Sequence, residues 1–110
     1  MNKSTLYKGC LEPIILHLLK TNGRMYGYQM TQMVKEITKG ELKITEGALY
    51  PLLHKLEERG VVATEMESIG NRGRKYYALT KVGKKQTSTA IDELKTFIQS
   101  LQILVNPVNA

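Results

Sequence analysis

The residues best suited to chemistry are three cations crowded round a glycine: Arg72, Arg74 and Lys75 in the run NRGRK at positions 71–75. A basic tip loosened by Gly73 can follow the narrow, electronegative minor groove of a duplex, and Asn71 can add a hydrogen bond there. A second group lies upstream in TEGALYPLLHKLEERG, at 45–60. Tyr50 and His54 are four residues apart and off the leucine stripe, so they share an exposed helix face. Tyr50 suits a base edge or a phosphate, and Lys55 and Arg59 suit phosphates. The plainer reading leaves the Tyr50 ring covering the domain surface and the two cations pairing with Glu58 and its neighbours. The net charge of +6 is placed unevenly. Between Asn71 and Ile91 stand six basic residues (Arg72, Arg74, Lys75, Lys81, Lys84 and Lys85) and no acidic one. Taking these six from the 16 Lys and Arg leaves 10, which the 10 Asp and Glu balance. Such asymmetry points to a polyanionic partner rather than to an ordinary mixed surface.

These groups need elements to hold them. Tyr7, Cys10, Leu11, Ile14, Ile15, Leu18 and Leu19 recur at intervals of three and four, predicting a helix from about Ser4 to Lys20 that ends at Asn22-Gly23. Pro13 lies inside this pattern. It either kinks the helix, eased by Gly9 four residues back, or opens the main helix after an N-terminal arm. A second helix is expected from about Gly27 to Lys39, with Met30, Met33, Val34 and Ile37 inward and Gly40-Glu41 as its break. Thr45 is a good N-cap for a third helix, Glu46 complements its dipole, and Ile44 can staple against Leu49. Leu49, Leu52, Leu53 and Leu56 form its buried stripe, and Gly60 its stop. Val61–Glu67 and Lys75–Leu79 read as strands joined by the loop SIGNRGR, with Tyr76 and Tyr77 on opposite faces. Thr80 then caps a long helix reaching Val105. Its Ile91, Leu94, Ile98, Leu101 and Val105 keep the 3-4-3-4 spacing of a helix seam. That seam is read as an intersubunit contact rather than internal packing, because three helices already make a compact core. The fold class is mainly α with a small β-hairpin: a winged helix-turn-helix over 1–80, and a dimerisation helix and tail over 81–110.

At 110 residues there is room for one small core. No apolar run approaches the ~18 residues that span a bilayer, and the N-terminus lacks the apolar segment of a secretory signal. A single cysteine, Cys10, excludes an intrachain disulfide and suits a reducing cytoplasm. Cys10, His17 and His54 have no metal-ligand spacing, so neither a metal nor another cofactor is expected. Nucleophile and phosphate-loop motifs are absent, and the pairs Glu57-Glu58 and Asp92-Glu93 read as solvated helix faces, so an enzyme is not expected. The methionines Met25, Met30, Met33 and Met66 read as core filler.

LEPIILHLL at 11–19, YGYQM at 26–30, GALYPLLHKLEERG at 47–60 and GRKYYALT at 73–80, followed by Gly83, together resemble the PadR family of bacterial transcriptional regulators. The short C-terminal helix resembles the smaller branch of that family. The resemblance implies a dimeric winged-helix repressor of a palindromic double-stranded operator. Its DNA contacts would come from Thr45, Gly47, Tyr50, Lys55, Asn71, Arg72, Gly73, Arg74 and Lys75. It implies that the last helix pairs with the partner's first, through Leu11, Ile15, Ile91, Leu94, Ile98 and Leu101. It also implies release by a small aromatic or cationic effector. Some small members stack such a compound between tryptophans at the dimer centre; this chain has no Trp, and Phe97 lies in the corresponding helix. The competing class is a winged helix that binds protein and no longer reads DNA.

Overall fold

The structure, a computed structural model, describes residues 6–106. The expected first-helix start at Ser4 lies outside them. A 3-10 turn at Lys8–Cys10 leads into α1 (Leu11–Asn22). Pro13 is the third residue of α1, within the turn whose N–H groups have no helical partner, so its missing N–H costs little there. The proline therefore opens the main helix rather than kinking a longer one. Gly23, at φ 77°, ends α1 by donating its N–H to the Leu19 carbonyl at 3.0 Å, and the Asn22 side chain caps Leu18 O at 2.9 Å.

Met25–Tyr26 form β1, a strand of two residues that carries no alternation to read in sequence. It runs directly into α2 (Gly27–Ile37), where the Tyr26 N–H donates to Gln29 Oε1 at 3.3 Å. α2 buries Met30 and Val34 and half-buries Met33. Ile37, expected inward, is 68% exposed, because the helix ends there and the chain turns away through the left-handed Lys39 and Gly40. α3 (Glu46–Glu58) begins at Thr45, whose hydroxyl accepts the Ala48 N–H at 3.2 Å. It buries Leu49, Leu53 and Leu56 completely. Gly60, at φ 73°, ends it with a paired stop: Gly60 N–H to Glu57 O and Val61 N–H to Leu56 O.

The strands β2 (Val62–Ile69) and β3 (Arg72–Leu79) are longer than expected, and the loop between them is shorter. Ile69 pairs with Arg72, so the turn is only Gly70-Asn71, with Gly70 at φ 62° where a tight hairpin needs a left-handed residue. Arg72, Gly73 and Arg74 thus belong to β3 and not to a loop. β1 joins on the other side of β3, giving an antiparallel sheet in the order β1-β3-β2. The expected hairpin is therefore a three-stranded sheet.

α4 (Lys81–Val105) starts at Thr80, whose hydroxyl accepts the Gly83 N–H at 3.0 Å and donates to Gly60 O at 2.6 Å. Gly83 lies so close to the Val61 carbonyl that no Cβ fits between them. Thr87 is buried beside it, its hydroxyl donating to Gly83 O at 2.7 Å. The first half of α4 packs along α1, and the end of α4 extends past the remaining elements, giving dimensions of 61 × 29 × 21 Å.

Candidate nucleic-acid interface

α3 is held from beneath by its leucines, which leaves Thr45, Gly47, Tyr50, His54 and Lys55 on the solvent side. Tyr50 keeps 42% of its surface exposed while its ring lies against the first residue of α2. A Cβ on Gly27 would stand 2.8 Å from the Tyr50 ring and closer still to its hydroxyl. Gly27 therefore makes the seat for Tyr50 at the crossing of α2 and α3. His54 is occupied by Glu58, 2.7 Å away and one turn along. Arg59 pairs with Glu12 of α1 at 3.1 Å rather than with Glu58.

In sequence the three wing cations looked alike; the alternation of β3 separates them. Lys75 and Tyr77 face the helices, whereas Arg72, Arg74 and Tyr76 face the other way. Lys75 Nζ lies 3.4 Å from Glu57 of α3, and Thr64 of β2 donates its hydroxyl to the same carboxylate at 2.9 Å. These contacts, the Thr64 hydrogen bond first and the Lys75 pair after it, hold the Glu57 carboxyl below its ordinary range. Lys75 thus forms part of a clamp between the β2-β3 hairpin and α3. Tyr77 is buried beneath it, and burial pushes its phenol up.

On the outer face Tyr26 of β1 sits opposite Tyr76 of β3, their rings edge to face at 5.5 Å and 83°. The Arg74 guanidinium lies 4.4 Å over the Tyr26 ring, and that of Arg24 lies 4.2 Å over Tyr76. Arg24 also reaches Glu67 at 2.5 Å and Glu65 at 3.6 Å on β2. Arg72, beside the turn, makes no ion pair or ring contact among the described residues. Asn71 and Gly73 are exposed. Arg24, Gly27 and Glu57 are participants that sequence reasoning missed. Each acts through a partner distant in sequence, and only the shortness of Gly27 hinted at a close approach. The remaining excess charge lies elsewhere: Lys84 borders an opening lined also by Lys20, Arg24 and Ser88.

The residues expected at a dimer contact divide in two. Leu11 and Ile15 are buried in this chain's own core, so they are not free to meet a partner. Ile91 and Leu94 are half-buried and line a cavity of about 300 Å³ between α1, α2 and α4, with Pro13, Ile14, Leu18 and Val34. Ile98 and Leu101, at 44% and 43%, remain exposed, as does Phe97 near Cys10 and Pro13. Among the described residues no cluster of three or more His, Cys, Asp or Glu is arranged to hold a metal, and no helix is long and apolar enough to cross a membrane.

Three packed helices followed by a basic β2-β3 hairpin, with β1 from between the first two helices completing its sheet and an exposed helix face beside it, define a winged helix-turn-helix module. Residues 15–89 match the model of the PadR-like transcriptional regulator family. The chain is 30% identical to the transcriptional regulator Rv3488 of Mycobacterium tuberculosis, over 72% of this chain and 76% of that one. A transcriptional regulator from Clostridium thermocellum superposes with a TM-score of 0.83 at 25% identity, covering 96% of this chain and all of the other. PadR of Bacillus subtilis, solved in complex with operator DNA, superposes with a TM-score of 0.67 at 29% identity, over 74% of this chain and 46% of that one. The chain belongs to the PadR-like family, and so to the transcriptional regulators rather than to the enzymes.

Proposed function

We propose that this regulator is a dimeric repressor that reads a palindromic double-stranded operator. α3 enters the major groove, presenting Tyr50, and Thr45, Gly47 and Lys55 lie along the same approach. The wing follows the neighbouring backbone with Asn71, Arg72, Gly73 and Arg74, while Lys75 braces it against α3. The observation that carries this reading is the splitting of the wing cations: Arg72 and Arg74 face solvent on a strand that Lys75 and Glu57 tie to the exposed helix. The operator complex of the B. subtilis relative supports the same class of ligand. Residues 81–110 serve as the pairing segment, and a cytoplasmic location suits a regulator of this kind.

The test is selection of bound sequences from a random DNA pool by the purified protein. Two half-sites in palindromic order, with centres one turn of duplex (about 34–36 Å) or a multiple apart, are expected. A folded protein that selects nothing, and binds no DNA at low salt, would move the protein-binding adaptor to first place.

Release by a small effector is part of the proposal. Phe97 at the dimer centre suits a flat or cationic aromatic compound. The apolar cavity between α1, α2 and α4 supports a second location, bounded by His17 and Lys95 at its rim. Calorimetric titration with aromatic cations and phenolic acids, on wild type and on Phe97→Ala, separates the two: loss of binding in the variant assigns the Phe97 site, and unchanged binding assigns the cavity.

A further inference from the structure

The register of the wing sets Glu67 of β2 directly opposite Arg74 of β3, on the same face. Opposite charges facing each other across an antiparallel pair ordinarily join. Here they do not. Glu67 is taken instead by Arg24, at 2.5 Å, and Arg74 lies over the Tyr26 ring. Arg24 precedes β1, at the far side of the sheet order β1-β3-β2, so its side chain must cross β3 to reach the β2 carboxylates. It does so over the Tyr76 ring, which supports the guanidinium at 4.2 Å. Its second nitrogen lies 3.6 Å from Glu65, so one cation serves both wing carboxylates. A planar guanidinium is suited to this double task, since its nitrogens can address separate acceptors while its face stacks on a ring.

We propose that Arg24 is a positioning residue of the wing: it draws Glu65 and Glu67 aside and so leaves the Arg74 guanidinium free for a DNA phosphate. The inference rests on the DNA-binding reading above. Without Arg24, Glu67 would capture Arg74 across the strand pair, and the wing would lose a phosphate contact at a residue that had not been altered. Arg24 itself stays on its carboxylates and does not touch the duplex.

The experiment measures affinity for the selected operator by fluorescence anisotropy across a series of salt concentrations. The proteins are wild type, Arg24→Gln, Arg74→Ala, Glu67→Gln, and the pairs Arg24→Gln/Glu67→Gln and Arg24→Gln/Arg74→Ala. Arg24→Gln should weaken binding to the level of Arg74→Ala, roughly three- to tenfold at low salt. It should also flatten the salt slope by about one phosphate contact. Arg24→Gln/Glu67→Gln should regain wild-type affinity and slope, and Glu67→Gln alone should change little. Adding Arg74→Ala to Arg24→Gln should cost nothing further, the non-additivity expected of one shared contact. The proposal is overturned if Arg24→Gln binds like wild type, or if its loss persists when Glu67 is also changed, which would make Arg24 a phosphate contact itself. Thermal unfolding of each variant guards against misfolding, and Arg24→Lys, which keeps the charge without the fork, should fall between wild type and Arg24→Gln. If the wild type binds no DNA at all, the DNA-binding reading fails in the same titration, visibly and before any variant is compared.

Discussion

A methyl group at Gly27 would stand 2.8 Å from the Tyr50 ring, so substitution there moves the tyrosine while leaving both helices able to form. Gly27 has no positive φ and opens α2, where Ala is well tolerated. Tyr50 meets Gly27 through its hydroxyl end, and with 42% of its surface exposed the displaced ring can swing outward. Gly27→Ala is therefore expected to fold normally and to lower the ratio of operator to random-DNA affinity, as Tyr50→Ala should. A base contact is worth roughly 1–3 kcal/mol of discrimination, well within reach of competition anisotropy. Combining the two changes should add nothing to Tyr50→Ala alone; additive losses would mean that Gly27 matters for some reason other than seating the ring. The wing cations are expected to behave differently, because phosphate contacts carry affinity without sequence information. Arg72→Ala and Arg74→Ala should weaken operator and random DNA alike, each flattening the salt slope by about one unit. Variants that bind both DNAs as tightly as wild type at every salt concentration would remove the wing from the interface.

Between elements, the wing is joined to α3 by Glu57, with Thr64 and Lys75 as its partners. The folded-state pKa of this carboxyl is depressed. Its stabilising effect is thus fully present above the ordinary carboxylate range and is lost as pH falls through the lowered value. The protection of β2 and β3 amides, taken as exchange relative to the intrinsic rate at each pH, should fall on acidification in the wild type, and Glu57→Gln should show the lower protection already at neutral pH and respond less to acid. Equal acid responses in both proteins would assign the loosening to other groups. At this scale the sequence was informative wherever a signal is local. The Thr45 and Thr80 caps, the Gly23 and Gly60 stops and the span of α4 follow from neighbouring residues. β1 was not legible, because two residues carry no period and the strand exists only through its pairing with Tyr76 and Tyr77. Nor was the tight Gly70-Asn71 turn: two glycines in SIGNRGR left several registers open, and cross-strand pairing selected one. The same limit explains Ile37, whose helical spacing promised burial that the end of α2 denies.

For the molecule as a whole, apolar surface is distributed unequally along α4. Its first half packs on α1, with Gly83 against the Val61 carbonyl after α3 and Thr87 buried, while Phe97, Ile98, Leu101, Leu104 and Val105 are exposed. The seam spacing read from sequence extends into this exposed part, but Leu11 and Ile15 are spent inside the chain, so a partner would meet α4 beyond Leu94 and the outer side of α1. Ile98 and Leu101 make the clearest test because both are over two-fifths exposed, and changing them disturbs little of the chain's own packing. Burying such a side chain contributes ~1.5–3 kcal/mol, and a two-fold interface buries each residue twice. Ile98→Asp/Leu101→Asp should therefore weaken association by roughly a hundredfold or more. The variant should sediment as a folded monomer at concentrations where the wild type is a dimer. It should retain salt-sensitive binding to a single half-site, since Tyr50, Arg72 and Arg74 are untouched, while the tight binding to the full palindrome is lost. If the wild type sediments as a monomer at tens of micromolar, α4 does not pair two copies, and the exposed apolar end of that helix must serve another contact.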